Sequence, residues 1–345
     1  MNYLFELTHP KHYYQFKVVI KALQNNSANS LLVIARNKDV LLKVPEEDDI
    51  PFVIYGKHGK SMISKLFVLP NLLYTYLKII RNNNIDVVIS KASPYAALLS
   101  KLLKIKTIIT PDSEVVNITK KLVAPVASLV ITPENYALNY EGKHKRIIGF
   151  FEDCYLAPSV FTPDKSLVKQ LGFSLDNPYF ILRFISWNAN HDINNFGFSQ
   201  DEKIHIVNIL KACGDVYISS EGLLPKEIEK YRIVIPPSKI HHVLHYATMY
   251  IGDSQTIATE SALLGTPSIR FNSFVGENDM TNFKLLEEKF KLLKNFNNFS
   301  DVLFCINEFI NNPENKDNWL KKRANYYTER GDVNNEIFSF IADVK

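Results

Sequence analysis

The sequence has few cysteines, little net charge and no long hydrophobic run. Its 345 residues include three cysteines, Cys154, Cys213 and Cys305, which lie far apart and form no CxxC pair. A disulfide framework or a zinc knuckle is therefore not expected, and a reducing cytosol is the compartment that fits. The net charge of +4 is too small to indicate nucleic-acid binding, although it permits a weakly basic face toward phosphates or anionic lipid.

Membrane-spanning and secretory classes are also disfavoured. No stretch of about 18 uncharged apolar residues occurs, so no spanning helix is predicted. The N-terminal MNYLFELTHPKH lacks a charged region followed by an apolar one, so no signal peptide is expected. Hydrophobic residues make up 46% of the chain and charged residues 22%, as in globular proteins. We therefore expect a cytoplasmic protein, with room for peripheral contact at the inner face of a membrane.

Strands and helices alternate in two series, which predicts an α/β protein with parallel, doubly wound sheets. The length suits two domains, and the prolines and aromatic residues of 146–164 mark the linker. We predict domains at 1–155 and 156–320, with a C-terminal helix at 321–345 that packs back on the first. The predicted strands are 3–8, 30–36, 52–55, 86–91, 107–110 and 128–132, then 179–185, 215–220, 232–236, 249–253 and 268–271.

Polar residues follow an apolar strand in IGDSQTIATESALLGTPSIRF, residues 251–271. The helix that begins there offers free backbone N–H groups and the positive end of its dipole, and Asp, Ser and Thr are good helix caps. Such a turn binds phosphate well. We therefore predict that Ser254, Gln255 and Thr256 bind a diphosphate and that Glu260 accepts ribose hydroxyls. The alternative is an ordinary helix cap with Glu260 exposed to solvent.

The pattern D-S-x-x-x-x-x-E followed by LGTPSIR resembles the nucleotide-diphosphate site of GT-B proteins. It is similar in particular to the non-hydrolysing UDP-GlcNAc 2-epimerases, which have Ser-Gly-Gly in that turn and a Glu at the same offset. Ser254 and Glu260 match this pattern. Gln255 and Thr256 stand in place of the two glycines, which puts the approach of the backbone to the phosphates in doubt.

Further segments resemble the GT-B-like domain-of-unknown-function family 354. They cover most of the chain: THPKHYYQFK, ISKASPYAALLSKLL, LRFISWNANHD, ISSEG, IHHVLHYATMYIGDSQT and LGTPSIRFNSFVG. The resemblance implies a GT-B fold, with two Rossmann-like domains facing a central cleft, and a role in surface polysaccharide assembly. It supplies no proven reaction.

The same resemblance suggests roles for single residues. In GT-B glycosyltransferases a histidine after the first strand deprotonates the acceptor hydroxyl, which points to His9. His191 matches an epimerase loop histidine that reaches the phosphates. Asp112 and Glu114 are acid/base candidates, and Ser219 is placed to border the nucleotide base. For each of these residues a capping, buried or solvated role is the alternative.

Two other patterns favour structural roles. His241 and His245 of HHVLH lie at i and i+4, a spacing that suits a metal, but no HExxH glutamate is present, so core or surface positions are favoured. The apolar stretch 67–77 is flanked by lysines and by Arg81, which suits either a membrane-touching segment or a core-packed helix, and the core-packed helix is favoured.

These patterns favour a metal-independent glycosyltransferase without a cofactor. Its donor would be a nucleotide-diphosphate sugar, UDP-linked, and its acceptor a saccharide or a lipid-linked saccharide. A 2-epimerase is the first alternative and would need paired carboxylates, from Asp112, Glu114 and Glu152. A non-catalytic protein that binds sugar nucleotides is the second. Nucleic acid is not an expected partner, and the sequence does not indicate an oligomeric state.

Overall fold

Apolar runs in the sequence form the strands of two parallel sheets. The computed structural model describes residues 1–37, 50–57, 62–114, 116–186, 196–277, 279–312 and 315–344. The chain divides into two units, unit 1 with Met1–Tyr155 and Gly331–Lys345, and unit 2 with Leu156–Arg330. No helix in the described residues is long and apolar enough to cross a membrane.

The described residues form twelve strands, ten of which fall on or near the predicted apolar runs. They are β1 Asn2–Leu7, β2 Ser30–Asn37, β3 Val53–Lys57, β4 Val87–Ser90, β5 Lys106–Ile109, β6 Leu129–Pro133, β7 His144–Ile147, β8 Tyr179–Phe184, β9 Asp215–Ser220, β10 Met249–Gly252, β11 Ser268–Phe271 and β12 Lys294–Phe296.

The helices connect successive strands and close both units. They are α1 Pro10–Gln24, α2 Met62–Asn82, α3 Pro94–Leu103, α4 Asp153–Leu156, α5 Lys165–Gln170, α6 Gln200–Leu210, α7 Ile240–Tyr246, α8 Gln255–Leu263, α9 Thr281–Glu288, α10 Phe299–Ile310, α11 Asn315–Thr328 and α12 Val333–Ala342. An irregular helical segment occupies 119–126.

Unit 1 is built on a seven-stranded parallel sheet in the order β3-β2-β1-β4-β5-β6-β7. Strand β1 lies between β2 and β4, so the connections leave it toward opposite edges of the sheet. Its core strands are buried on both faces, as VVIS of β4 illustrates, which is typical of parallel sheets covered by helices. The last helix, α12, packs against α1 and β7 and completes this unit.

Unit 2 is built on a five-stranded parallel sheet in the order β12-β11-β10-β8-β9. Here β8 lies between β9 and β10, which again reverses the direction in which strands are added. The prediction of parallel, doubly wound sheets is therefore confirmed. Helix α8 is buried through most of its length and ends at Leu263, and Gly265 follows with a φ of 77°, in the left-handed conformation that terminates many helices.

The strand predictions are wrong at two points. The apolar run 232–236 is not a strand and makes a single bridge between Ile218 and Arg232, because Pro236 and Pro237 lack the N–H groups that a ladder needs. Strands β7 and β12 were not predicted, since their polar sequences show no apolar alternation. The predicted linker 146–164 includes the point at which the chain passes from unit 1 to unit 2, and it also contains the end of β7 and the buried helix α4.

Candidate functional site

In unit 2 the direction in which successive strands are added reverses between β8 and β10. The carboxyl ends of these two parallel strands lie side by side at one edge of the sheet. Ligands of open α/β sheets bind at such a position. Asp253 follows β10 and is almost fully buried, and its Oδ1 accepts a hydrogen bond of 2.8 Å from the backbone N–H of Ile185, just after β8. Asp253 therefore joins the ends of the two strands and fixes where the following helix begins.

Helix α8 starts directly after this link. Ser254 is its N-cap, and its hydroxyl accepts from the N–H of Ile257 at 3.5 Å. Gln255 and Thr256, the first helical residues, are half-buried. Gly252 allows the close approach, because a Cβ there would lie 2.4 Å from the hydroxyl of Tyr250 and 2.5 Å from the carbonyl oxygen of Arg183. The sequence thus forms a tight turn that leads into a helix N-terminus.

Glu260 lies on α8 six residues after the cap and is only 4% exposed. The alternative of a solvent-exposed Glu260 is therefore wrong. Its Oε2 lies 3.3 Å from Nε2 of His241, which is also buried, on the neighbouring helix α7. This contact holds one carboxylate oxygen in place. The sequence presented His241 only as half of an i, i+4 histidine pair, so its link to Glu260 was missed.

The second histidine of that pair has different surroundings. His245 Nδ1 contacts the carbonyl oxygen of Leu264 at 3.0 Å, and burial lowers its pKa to about 4. His245 is therefore neutral at pH 7 and helps to hold the end of α8. Across the part of the chain that the structure describes, no group of three or more His, Cys, Asp and Glu side chains is placed to hold a metal.

A second polar set lies after β8 and β9. Arg183 donates to the hydroxyl of Ser219 at 2.7 Å and pairs with Glu221. Glu221 also accepts from the backbone N–H of Ser186 at 3.3 Å. Ser219, which the resemblance places beside the nucleotide base, thus accepts a hydrogen bond from Arg183, a residue that the sequence analysis did not single out. His191 itself lies in 187–195, outside the described residues.

Unit 1 carries a compact ionic cluster at the carboxyl ends of β1, β4 and β5. Lys11 Nζ lies 2.9 Å from Oδ2 of Asp112 and 2.6 Å from Oε1 of Glu152, and Lys91 Nζ lies 2.8 Å from Oδ2 of Asp112. The two ammonium groups hold the pKa of Asp112 well below its usual range, against the opposing effect of burial. Asp112 is therefore ionised at neutral pH.

Neighbouring side chains fix the two lysines. Lys91 donates to Oε1 of Gln15 at 3.2 Å and lies 4.4 Å from the centroid of the Phe151 ring. The amide of Gln15 in turn donates to the hydroxyl of Thr110 at 3.0 Å. Burial lowers the pKa of Lys91. Lys11 lies in the motif THPKH and Lys91 in ISKASP. Neither lysine was identified as a site residue, because their shared partner, Asp112, is remote from at least one of them in sequence and follows another strand.

His9 is exposed and forms the N-cap of α1. Its Nδ1 accepts from the backbone N–H of Lys11 at 3.2 Å, so in the neutral ring the proton is on Nε2. His12 lies one turn further on, and its Nδ1 accepts from the N–H of Thr8 at 3.3 Å. Burial, reinforced by the charge of Lys91, keeps the pKa of His12 well below its usual value.

Glu114 does not belong to the ionic cluster. It is buried, and its Oε1 accepts from the backbone N–H of Ala137 at 2.8 Å, which ties the end of β5 to the loop after β6. The epimerase alternative named three carboxylates, Asp112, Glu114 and Glu152, and the structure brings two of them together. The carboxylates that share a partner are Asp112 and Glu152, joined through Lys11.

Solved structures of similar fold cover nearly the whole chain. The UDP-GlcNAc 2-epimerase from Neisseria meningitidis bound to UDP-GlcNAc matches with a TM-score of 0.68 and 14% identity, over 99% of this chain and 100% of the other. The spinosyn rhamnosyltransferase SpnG matches with a TM-score of 0.62 and 11% identity, over 96% and 98%. MurG from Acinetobacter baumannii matches with a TM-score of 0.59 and 14% identity, over 100% of both.

At these identities the similarity establishes the fold, and it confirms the prediction of a GT-B fold with two Rossmann-like domains. No protein of curated function matches the sequence. The family described as "Protein of unknown function (DUF354)" matches residues 1–318. That match spans both units, and the chain therefore belongs to the domain-of-unknown-function family 354.

Proposed function

We propose that the protein is a glycosyltransferase that uses a nucleotide-diphosphate sugar, UDP-linked, and acts without a metal in surface polysaccharide assembly. The observation that carries the proposal is the edge of unit 2 where β10 ends, α8 begins at its Ser254 cap, and Glu260 is held by His241. A GT-B fold supports it, since one similar structure is bound to UDP-GlcNAc. Unit 2 would bind the donor and unit 1 would activate the acceptor.

The chemistry follows from what this edge offers. The N–H groups of Gln255 and Thr256 and the positive helix end would bind the diphosphate, and they would stabilise its charge as the sugar–oxygen bond breaks. Glu260 would accept hydrogen bonds from the ribose hydroxyls, and His191 would assist at the phosphates. A base at His9 would take the proton of the acceptor hydroxyl as that oxygen bonds to the sugar carbon.

Ligand-induced stabilisation tests the donor site. UDP or a UDP-sugar at about 100 times its dissociation constant should stabilise the folded protein by roughly 2.7 kcal/mol. Glu260→Gln should lose most of this shift, because hydrogen bonds to a charged group contribute about 1.5–3 kcal/mol each. His241→Gln should lose part of it. Thermal melting with a panel of nucleoside diphosphates and sugar nucleotides measures both.

The matched control is Glu288→Gln, since Glu288 is exposed at the end of α9. It should keep the full shift. Each variant is compared with its own ligand-free form, so that a change in intrinsic stability does not count. Stabilisation by no nucleotide at all, or an equal shift in Glu260→Gln, would contradict the proposed donor site.

His9 caps helix α1 and is also the proposed base, and substitutions can separate these two roles. Its unprotonated nitrogen, Nδ1, is engaged by the N–H of Lys11, so His9 must release this cap before Nδ1 can take a proton. His9→Asn keeps a good N-cap and removes the base, whereas His9→Ala removes both. We expect both variants to lose about 10²–10⁴-fold in transfer rate while their nucleotide binding stays normal. Transfer assays with the donor found above measure this.

Stability separates capping from catalysis in the same pair of variants. His9→Ala should be less stable than His9→Asn by about 1 kcal/mol, the usual value of a cap. Wild-type turnover in His9→Asn would refute the role as base and leave His9 as a cap.

A 2-epimerase is the second candidate, because Asp112 and Glu152 are two carboxylates joined through Lys11. That reaction would exchange the proton at C2 of the sugar, and it needs one carboxyl group to be protonated. The low pKa of Asp112 opposes that role, which is why transfer is preferred. Incubating the bound UDP-sugar in D₂O without acceptor decides the question, since only an epimerase incorporates deuterium at C2.

A further inference from the structure

One face of unit 1 exposes large apolar side chains among basic ones. Helix α3 lies beside α2 and beside the 119–126 segment. We call the exposed surface of α3, of residues 70–82 of α2 and of the 119–126 segment, with the adjoining residues 116–118, the lysine-flanked face. Its exposed apolar side chains are Tyr74, Leu98, Leu102, Val116, Ile118 and Leu122, which account for a large share of such residues in the described chain.

Helix α3 shows how the face is built. Leu98 and Leu102 are 63% and 70% exposed and lie at i and i+4, one above the other. Lys101 and Lys104 are exposed beside them. The opposite side of the helix supplies Ala96 and Leu99 to the core, so its packing inside unit 1 is complete without the two leucines.

The elements that form the face contribute charge of one sign. The stretches 62–85, 92–111 and 116–133, which contain all three elements and their flanks, include no Asp or Glu. The basic side chains that accompany the apolar ones are Lys78, Arg81, Lys101, Lys104, Lys120 and Lys121. With a whole-chain net charge of only +4, this is a concentration of positive charge on one surface.

Exposed leucines surrounded by lysines, without carboxylates, match the surface of an anionic bilayer. Apolar side chains enter the boundary between headgroups and acyl chains, while lysines contact the phosphates. We propose that the lysine-flanked face binds anionic lipid and holds the protein at a membrane surface. This inference does not depend on the proposed function. Of the stretch 67–77, which the sequence offered as a candidate membrane-touching segment, Tyr74 belongs to this face, whereas Leu72 and Tyr76 are core residues.

Co-sedimentation with lipid vesicles tests this surface. The wild type should sediment with vesicles of phosphatidylcholine and phosphatidylglycerol, and much less with phosphatidylcholine alone. Lys101→Gln with Lys104→Gln should weaken partitioning about fivefold for each lysine, and added salt should reproduce that loss. Leu98→Ser with Leu102→Ser should weaken it at least about tenfold. All four side chains are exposed, so the variants should fold, which circular dichroism checks.

The matched control is Leu223→Ser with Val234→Ser. These residues of unit 2 are both 88% exposed, so the control removes as much exposed apolar surface from another place. It should sediment like the wild type. The proposal is overturned if the wild type does not bind anionic vesicles, or if the control loses as much binding as the α3 variants. It is also overturned if light scattering shows a dimer that Leu98→Ser with Leu102→Ser dissociates and vesicles do not bind, because the face then joins two copies.

Discussion

Replacing Lys11 with methionine is expected to destabilise unit 1 by about 3–5 kcal/mol. The ammonium group of Lys11 is shared by Asp112 and Glu152, and the Glu152 side chain is only 7% exposed. Methionine fills a similar volume but leaves the buried carboxylate without that partner. The loss of a partner from a buried ion pair costs more than the pair itself contributes.

Amide hydrogen exchange in β1, β4 and β5 is the suitable measurement, because it reports unit 1 separately. A loss of this size accelerates exchange roughly a hundredfold or more. Trp319 is buried in unit 2, so its fluorescence serves as an internal reference that should not change. The control is Lys21→Met, an exposed lysine on the same helix, for which a change well under 1 kcal/mol is expected.

The effect of Lys11→Met should depend on pH in a defined direction. Lys11 and Lys91 hold the pKa of Asp112 well below its ordinary value near 4, so this stabilisation is fully present above pH 4. It is lost as the pH falls further and Asp112 takes up a proton. The difference between wild type and variant should therefore be constant near neutrality and narrow below pH 4. A difference that grows in acid would contradict the assignment.

Replacing Arg270 with methionine should destabilise unit 2 by a similar amount, about 3–5 kcal/mol. The guanidinium of Arg270 is fully buried at the end of β11, pairs with Asp279 and lies 3.5 Å from the centroid of the Phe283 ring. Burial raises the pKa of Asp279, and the charge of Arg270 opposes this effect only in part. The ionised form of Asp279 therefore depends on Arg270 for its stabilisation. Urea unfolding followed by Trp319 fluorescence measures the loss.

A surface pair in the same unit is the control. Arg232 pairs with Glu229 through two contacts, but both side chains are partly exposed, at 27% and 49%. Glu229→Gln, which leaves the hydrogen bonds of Arg232 to the carbonyl oxygens of Ser220 and Gly222 in place, should therefore cost about 0–1 kcal/mol. The double variant Arg270→Met with Asp279→Leu should recover much of the loss, because apolar replacement of a whole buried pair is often neutral. If the double variant is as unstable as Arg270→Met, the unpaired charge is not the cause.

The sequence was informative where local composition decides structure. Strands with continuous apolar residues, such as β4 and β10, were predicted within a residue or two, because burial on both faces demands such residues. The edge strands β7 and β12 were missed, since an edge tolerates polar residues. The run 232–236 was misassigned because its apolar character was not matched by a pairing partner.

The candidate site residues also divide into those that a local sequence pattern identifies and those that it does not. Ser254 and Glu260 lie on one turn and one helix, so their spacing could be recognised in the sequence. The ionic cluster joins positions 11, 91, 112 and 152, which come from four separate elements, and no local pattern places Lys11 between Asp112 and Glu152. The link between His241 and Glu260 depends on the packing of α7 against α8, which spacing along the chain does not give.

The position of α12 has a consequence for the order of folding during synthesis. This helix buries Val333, Ile337 and Ile341 in unit 1, and its Asn334 side chain donates to the carbonyl oxygen of Cys154 at 2.9 Å. The ribosome must therefore translate all of unit 2 before unit 1 can close. At ~5–20 residues per second, the nascent unit 1 waits on the order of ten seconds or more with the apolar groove for α12 open. Unit 2 is contiguous in the chain and can finish first.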